Sequence, residues 1–217
     1  LVGFSIIFPL FPAMLDYYLT KEGDHGLIGA VVNLLEKFTQ VAGGPGDIGI
    51  IILFGGILAS LFSLLQFLCS PIIGALSDRY GRRPLLLISI AGIAVSYVMW
   101  FFAGTFAMLV AARILGGLMS GNISTASAVV ADVTTTRNRS KGMAIIGIAF
   151  GVGFIIGPAI GGFSAMIDLT KSFPALVPYG LNPFSTPALI PAVLSIINFV
   201  YVLFWFTETL LQSGPDS

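Results

Sequence analysis

One short segment concentrates charge in an otherwise apolar chain. Residues 74–84 read GALSDRYGRRP, which places the Asp78 carboxylate within five positions of three arginines. Carboxylate and guanidinium groups form charge-assisted hydrogen bonds, and such a network can hold one arrangement of its surroundings and release another. Glycines here permit close helix approach and unusual backbone angles, and Pro84 suits the first turn of a helix. The segment predicts a switchable charge cluster that contains Gly74, Asp78, Arg79, Gly81, Arg82 and Arg83.

Arg113 is a second charge, and it lies inside an apolar run, with Ala112 before it and Ile114 after it. Burying a charge within a membrane costs at least ~2.5–3.5 kcal/mol on insertion scales. Such residues usually face an aqueous cavity or a buried partner, which favours a role in solute binding or ion coupling. A structural ion pair with an acid elsewhere is the alternative.

Asp132 lies 19 positions after Arg113, which is about 28 Å along a helix. It therefore belongs at the opposite end of the same helix, near Arg139 and the charged segment. A carboxylate is unfavourable at a helix C-terminus because it faces the negative end of the helix dipole. This misfit favours a functional role for Asp132 over a simple helix boundary.

Closely spaced glycines mark the segment from 147 to 162. Small residues let helices approach each other, and a proline within a helix removes a backbone donor and bends it. The pattern predicts tight packing and, beyond that, a hinge or a seal against ion leakage. The residues concerned are Gly147, Gly151, Gly157, Pro158, Gly161 and Gly162.

Two isolated amides, Gln66 and Asn122, lie in apolar runs and are candidates for lining a cavity. They could equally hydrogen-bond between helices, which contributes about 1 kcal/mol each. A single histidine and a single cysteine provide no metal-ligand cluster, and the sequence has no phosphate-binding glycine motif and no nucleophile–base pair. We therefore expect neither a metal, nor another cofactor, nor enzymatic activity.

The composition identifies the elements that must position these residues. Hydrophobic residues make up 56% of the 217 residues and charged residues only 9%, against about 25% charged in a soluble domain. Net charge is zero, so nothing suggests nucleic acid as a partner. We predict an all-α membrane protein in the lipid bilayer, with no soluble domain. Its six spanning helices are expected at about residues 1–18, 47–76, 84–103, 105–133, 141–167 and 187–207.

The basic residues predict an orientation for these helices. Six of the ten lysines and arginines lie in or beside the segments 77–83 and 134–140. The positive-inside rule places these segments in the cytoplasm, so both ends of the chain are also expected there. The rule explains the arginines but neither Asp78 nor the glycines. The chain starts within an apolar run, without Met, so we expect it to be truncated.

A short repeated sequence pattern relates the two halves of the chain. Residues 70–75 (SPIIGA) and 157–162 (GPAIGG) share a Pro-x-Ile-Gly-small pattern near the ends of helices two and five. These helices run in opposite directions, as three-plus-three inverted repeats predict, and such repeats are typical of secondary transporters.

The charged segment resembles a known signature. Its Gly-x-x-x-Asp-Arg-x-Gly-Arg-Arg pattern is similar to the loop between helices two and three of the major facilitator superfamily. The sequence RILGG at 113–117 resembles that family's helix-four element, and 147–162 resembles the helix-five motif of drug–proton antiporters. Residues 3–12 resemble helix one of tetracycline-type exporters, and 53–56 with 65–69 look closest to the eukaryotic tetracycline-transporter-like branch.

The resemblance implies half of a twelve-helix carrier whose carboxy-terminal six-helix bundle is missing from this chain. Such a carrier would move a small organic solute or drug by alternating access, in exchange for protons. Asp78, Arg79, Asp132 and Arg139 would stabilise a gate, and Arg113 would influence the proton-carrying acid. The acid often found just before Gly3 in such exporters would fall at or before the first residue. A non-transporting half-length subunit or scaffold is the alternative, and uptake of an organic ion by the full-length protein separates the two.

Overall fold

The computed structural model describes residues 2–42 and 46–210, and these form helices joined by short turns. Two 3₁₀ turns, Phe8–Leu10 and Pro174–Tyr179, accompany the α-helices. The α-helices are α1 (Val2–Ser5), α2 (Phe11–Glu22), α3 (Gly26–Ala42), α4 (Gly46–Tyr80), α5 (Arg82–Phe101), α6 (Phe106–Met119), α7 (Asn122–Val133), α8 (Arg139–Ala165), α9 (Leu169–Ser172) and α10 (Ser185–Trp205).

Six helical segments in this part of the chain are long and apolar enough to cross a membrane. They are Val2–Glu22, Gly49–Tyr80, Arg82–Phe101, Phe106–Val133, Arg139–Ser172 and Ser185–Trp205. The predicted all-α membrane bundle is therefore confirmed. Leu1, the first residue of the predicted first helix, lies outside the described residues. We call the end of the bundle that carries Gly81 and residues 134–138 the basic end, and the opposite end the distal end.

The turn between the second and third spans is shorter than the sequence predicted. α4 continues four residues past the expected end at 76, and α5 begins two residues before the expected start at 84. Gly81 alone separates the two helices, with a φ of 101° that other residues rarely adopt. A side chain there would also collide with Glu208, because a Cβ would lie 2.6 Å from its Oε2 atom.

The fourth span is broken near its middle, which the sequence analysis did not predict. α6 ends at Met119 and α7 begins at Asn122. The Ser120 hydroxyl donates to the carbonyl of Gly116 at 2.7 Å, a bond that competes with continuation of the helix. Gly121 lies against α4, where a Cβ would be 3.1 Å from the Cys69 carbonyl oxygen. The break thus occurs where two helix backbones meet.

α5 and α10 are joined at both ends. At the basic end, the Arg83 guanidinium donates to the carbonyl of Leu203 at 2.6 Å. At the distal end, Ser185 Oγ donates to the carbonyl of Phe101 at 2.6 Å, and Asn182 Nδ2 donates to the same oxygen at 3.3 Å. These bonds satisfy polar groups at the helix ends and fix the relative position of the two helices.

The loop predicted at the distal end contains the 17-residue helix α3. Ile28 and Leu35 are buried in the main apolar core, which also contains residues of α2, α4 and α6. Leu34 and Phe38 remain exposed on a neighbouring face. α3 therefore packs one apolar face onto the bundle and leaves part of the neighbouring face exposed.

Candidate functional site

Arg82 is the centre of the charge cluster at the basic end. Its Nη1 atom donates to Asp78 Oδ1 and, at 2.8 Å, to the hydroxyl of Ser77. Its Nε atom donates to Asp132 Oδ2 at 3.0 Å. The Arg82 side chain is 8% exposed, against 64% for Asp78 and 27% for Asp132. The cluster therefore ties α4, α5 and α7 together through one buried cation.

Glu208, which follows α10, completes the cluster and was missed by the sequence analysis. Its carboxylate accepts hydrogen bonds from the backbone N–H groups of Arg82 at 2.8 Å and Arg83 at 3.0 Å. Two further backbone donors, Thr209 and Leu210, reach the same side chain. Partial burial raises the pKa of Glu208, but these four hydrogen bonds outweigh it and hold the pKa below its ordinary value. Glu208 thus caps the start of α5.

Two arginines of the predicted cluster make other contacts. Arg79 lies over the ring of Tyr80, 5.3 Å from its centroid. Arg139 donates to the carbonyl of Ala131 at 3.3 Å. Neither forms an ion pair within the described ranges. Asp78, near the end of α4, pairs across the turn at Gly81 with Arg82 at the start of α5, and not with the adjacent Arg79.

Gly74 lies where α4 meets α7 on the same side of the cluster. A Cβ at this position would be 3.4 Å from the Ser124 hydroxyl. That hydroxyl donates across the same contact to the carbonyl of Ser70 at 3.0 Å. The glycine therefore contributes close packing beside Asp78 and not a charge contact.

Arg113 is buried between spans, with 5% of its surface exposed. Its guanidinium lies over the Trp100 ring at 4.7 Å from the centroid, which stabilises the cation through the ring's quadrupole. The Arg113 Nη2 and Trp100 Nε1 atoms are buried without a hydrogen-bond acceptor in the part of the chain described. Two donors in one apolar site are thus left without an acceptor, and Trp100 is a neighbour that the sequence analysis missed.

A cavity of about 500 Å³ lies at mid-depth and is lined by residues of all six spans. Gln66 and Asn122, the predicted cavity residues, both lie on its wall. The Gln66 side-chain amide donates to the carbonyl of Ser120 at 3.2 Å, at the break in the fourth span. Sequence analysis missed other polar lining residues, among them Ser63, Tyr97, Ser195 and Asn198.

The glycines of α8 separate into two groups. Gly157 and Gly161 face the first span, where a Cβ would lie 1.8 Å from the Ser5 hydroxyl and 2.2 Å from the Ile6 carbonyl oxygen, respectively. Around Gly147, Gly151 and Gly162, a Cβ would have no atom within 4 Å. Pro158 lies inside the helix between Gly157 and Gly161. Close packing thus explains the first group and leaves the second on an open surface.

The fold is a helical membrane bundle with six candidate spans that surround a mid-depth cavity. The sequence profile of the Major Facilitator Superfamily matches residues 1–216, so the chain belongs to that family. The resemblance recognised from the charged segment is therefore confirmed.

Particular relatives extend this assignment. The bovine (Bos taurus) major facilitator superfamily domain-containing protein 10 is 43% identical over 164 residues, which cover 75% of this chain and 36% of that protein. Its human counterpart is 40% identical over 162 residues, covering 74% and 35%. The class B tetracycline resistance protein of Escherichia coli is 38% identical over 208 residues, covering 96% and 41%. The chain thus spans well under half the length of these relatives.

Proposed function

We propose that this chain is one bundle of a secondary transporter that moves a small organic solute across a membrane by alternating access. The observation that carries the proposal is the mid-depth cavity with a charge cluster at one end of the bundle. A carrier needs a site that opens to each side in turn, and rocking of two bundles about a midplane site provides it. A second six-helix bundle outside this chain would supply the other wall.

The charge cluster is suited to act as the gate of this carrier. Arg82 and Glu208 connect the ends of four helices, and the contacts are polar and surface-accessible on one side. Charge-assisted bonds of this kind stabilise one arrangement, yet water can replace them when the helices separate. We propose that they hold the basic end closed in one state and break in the other.

We propose that Arg113 couples transport to protons. Its buried guanidinium requires a compensating acid, and the ion pairs formed by the described residues do not include it. An acid near the start of the first helix or in the second bundle would meet this need. Titration of that acid would then change the balance of charge at the centre of the protein.

We further propose that the basic end faces the cytoplasm. Arg79, Arg82 and Arg83 lie there, and Arg137, Arg139 and Lys141 lie at the adjoining end of α8. Lysines and arginines in short connecting segments favour the cytoplasmic side. Both ends of the chain would then be cytoplasmic.

Uptake into proteoliposomes that contain the full-length protein tests the transport proposal. Tetracycline is a reasonable first solute because several relatives are named tetracycline resistance proteins. Uptake should exceed that of empty liposomes and rise with an imposed pH gradient. Uptake that does not depend on the pH gradient would reject proton coupling and leave the transport proposal in place. A native protein mass near 22.9 kDa, with no uptake, would favour the half-length subunit instead.

Asp78→Asn tests the gate within the same assay. The variant removes one charged partner of Arg82 and leaves Asp132 in place. A charged hydrogen bond contributes about 1.5–3 kcal/mol, so turnover should fall about tenfold while expression stays normal. Asp24→Asn, in the exposed distal loop, should keep wild-type turnover. Equal turnover in both variants would reject the gate.

A further inference from the structure

The mid-depth cavity has a size and a wall chemistry that define a class of ligand. Its volume of about 500 Å³ falls within the ~300–1,000 Å³ of sites for drug-sized molecules. Its walls combine aromatic rings with amide and hydroxyl groups. Among the described residues that line it, none is Asp, Glu, Lys, Arg or His.

Aromatic rings form one side of the cavity. The Phe4 ring lies 4.9 Å from that of Phe62 and 6.0 Å from that of Phe154, measured between centroids. All three residues line the cavity, and Phe150 lies beside them. Aromatic groups pair at centroid separations of about 4.5–7 Å in stacked or edge-to-face geometry. A planar ring system can therefore extend this cluster.

Amide groups supply the polar part of the wall. In the described part of the chain, Gln66 makes one hydrogen bond, through Nε2, so its Oε1 atom remains an acceptor. No described residue is hydrogen-bonded to the side chain of Asn122 or Asn198. Each amide provides both donors and acceptors, and within a membrane these need partners. A ligand with several hydrogen-bonding substituents would supply them.

The wall that this bundle contributes contains no charged side chain among the described residues. Arg113 precedes Ser120 by seven positions, or about 10 Å along the helix axis. It borders a separate small void together with Phe4, which lines both spaces. An unpaired charge in an apolar interior is strongly unfavourable. The part of the solute that contacts this wall should therefore be uncharged.

We propose that this cavity binds an uncharged, planar aromatic part of the transported solute, with hydrogen bonds from Gln66, Asn122 and Asn198 to its polar substituents. The proposal rests on the proposed transport function, because it names the solute class of that site. It assigns recognition of the aromatic part to this bundle.

A matched pair of dyes tests the proposal on the purified full-length protein. Diaminoanthraquinone is planar and neutral and carries amino and carbonyl groups, whereas its sulfonate adds one permanent charge to the same ring system. Equilibrium binding and proteoliposome uptake would be measured for both. The neutral dye should bind at least about tenfold more tightly than the sulfonate. Asn198→Leu and, separately, Gln66→Leu should weaken its binding about tenfold, and Asn33→Ala, on the exposed face of α3, should not.

The outcomes separate this proposal from the transport proposal. Equal or tighter binding of the sulfonate, failure of both dyes to bind, or insensitivity to both leucine variants in monodisperse protein would overturn the ligand class. Uptake of tetracycline would still support transport in those cases. Selective binding of the neutral dye without uptake of any solute would support the cavity assignment and reject transport.

Discussion

At the scale of single residues, Arg113 has an environment that is difficult to explain by stability alone. A buried guanidinium with a donor left unpaired costs free energy, and the contact with Trp100 offsets only part of that cost. Replacement by a neutral side chain would remove this cost and relax the site. An arginine at this position therefore favours the proposed coupling role over a purely structural one.

Arg113→Ala should lower proton-driven uptake about tenfold or more, because coupling between two sites is typically ~1–3 kcal/mol. Arg113→Lys keeps the charge but loses the planar stacking on Trp100, so it should retain partial activity. Ile114→Ala, at a position 38% exposed on the bundle surface, provides the control. Wild-type uptake by Arg113→Ala would show that the residue is structural.

Glu208 predicts a dependence of stability on pH. Its folded-state pKa lies below the ordinary value of 4.5. The stabilisation by its carboxylate is therefore present above about pH 4.5 and is lost as the pH falls through the folded-state pKa. The melting temperature of Glu208→Gln should depend less on acid than that of the wild type, whereas Glu36→Gln should keep the wild-type profile. Parallel profiles for the wild type and Glu208→Gln would contradict the capping role.

At the scale of helices, the contact between α8 and the first span predicts opposite results at adjacent glycines. A Cβ at Gly161 would lie 2.2 Å from the Ile6 carbonyl, so Gly161→Ala must separate the helices, at a cost of about 1–3 kcal/mol. Gly162 has open space around it, and Gly162→Ala should be neutral or slightly stabilising. Thermal unfolding of the two variants in detergent measures the difference. Equal melting temperatures would disprove the close contact.

The spanning helices were predictable from sequence because about 20 consecutive apolar residues have few alternatives to a membrane helix. The break at Ser120 was not, since no proline marks it and it occurs at a contact with the α4 backbone, which only the packing shows. The partner of Asp78 was also not predictable. Whether Arg79 or Arg82 faces it depends on where α4 ends and how the chain turns at Gly81, and a few residues decide that geometry.

The cavity could be predicted only in part, for a related reason. Gln66 and Asn122 are conspicuous amides in apolar runs, whereas Tyr97 and Asn198 resemble many other isolated polar residues in the sequence. Only the arrangement of all six spans shows that these four residues line one cavity. Glu208 was missed because its role depends on a contact between residues 126 positions apart.

At the scale of the whole molecule, the proposed orientation predicts which segments share a compartment. Arg137 lies in the turn before α8 at the basic end, and His25 lies in the distal loop. Each position is replaced by cysteine in turn, as Arg137→Cys and His25→Cys. In a background that lacks other cysteines, selective permeabilisation of the plasma membrane should expose Arg137→Cys to an impermeant maleimide. His25→Cys should react only from the opposite side of the host membrane. The reverse pattern would invert the orientation.

The cap that Glu208 places on α5 also has a consequence for biosynthesis. The two partners, Glu208 and the Arg82 amide, are separated by 126 positions, and a ribosome adds about 5–20 residues per second. During synthesis, α5 therefore remains without its cap for on the order of ten seconds. In a chain interrupted before Glu208, the Arg82 and Arg83 amides lack this acceptor.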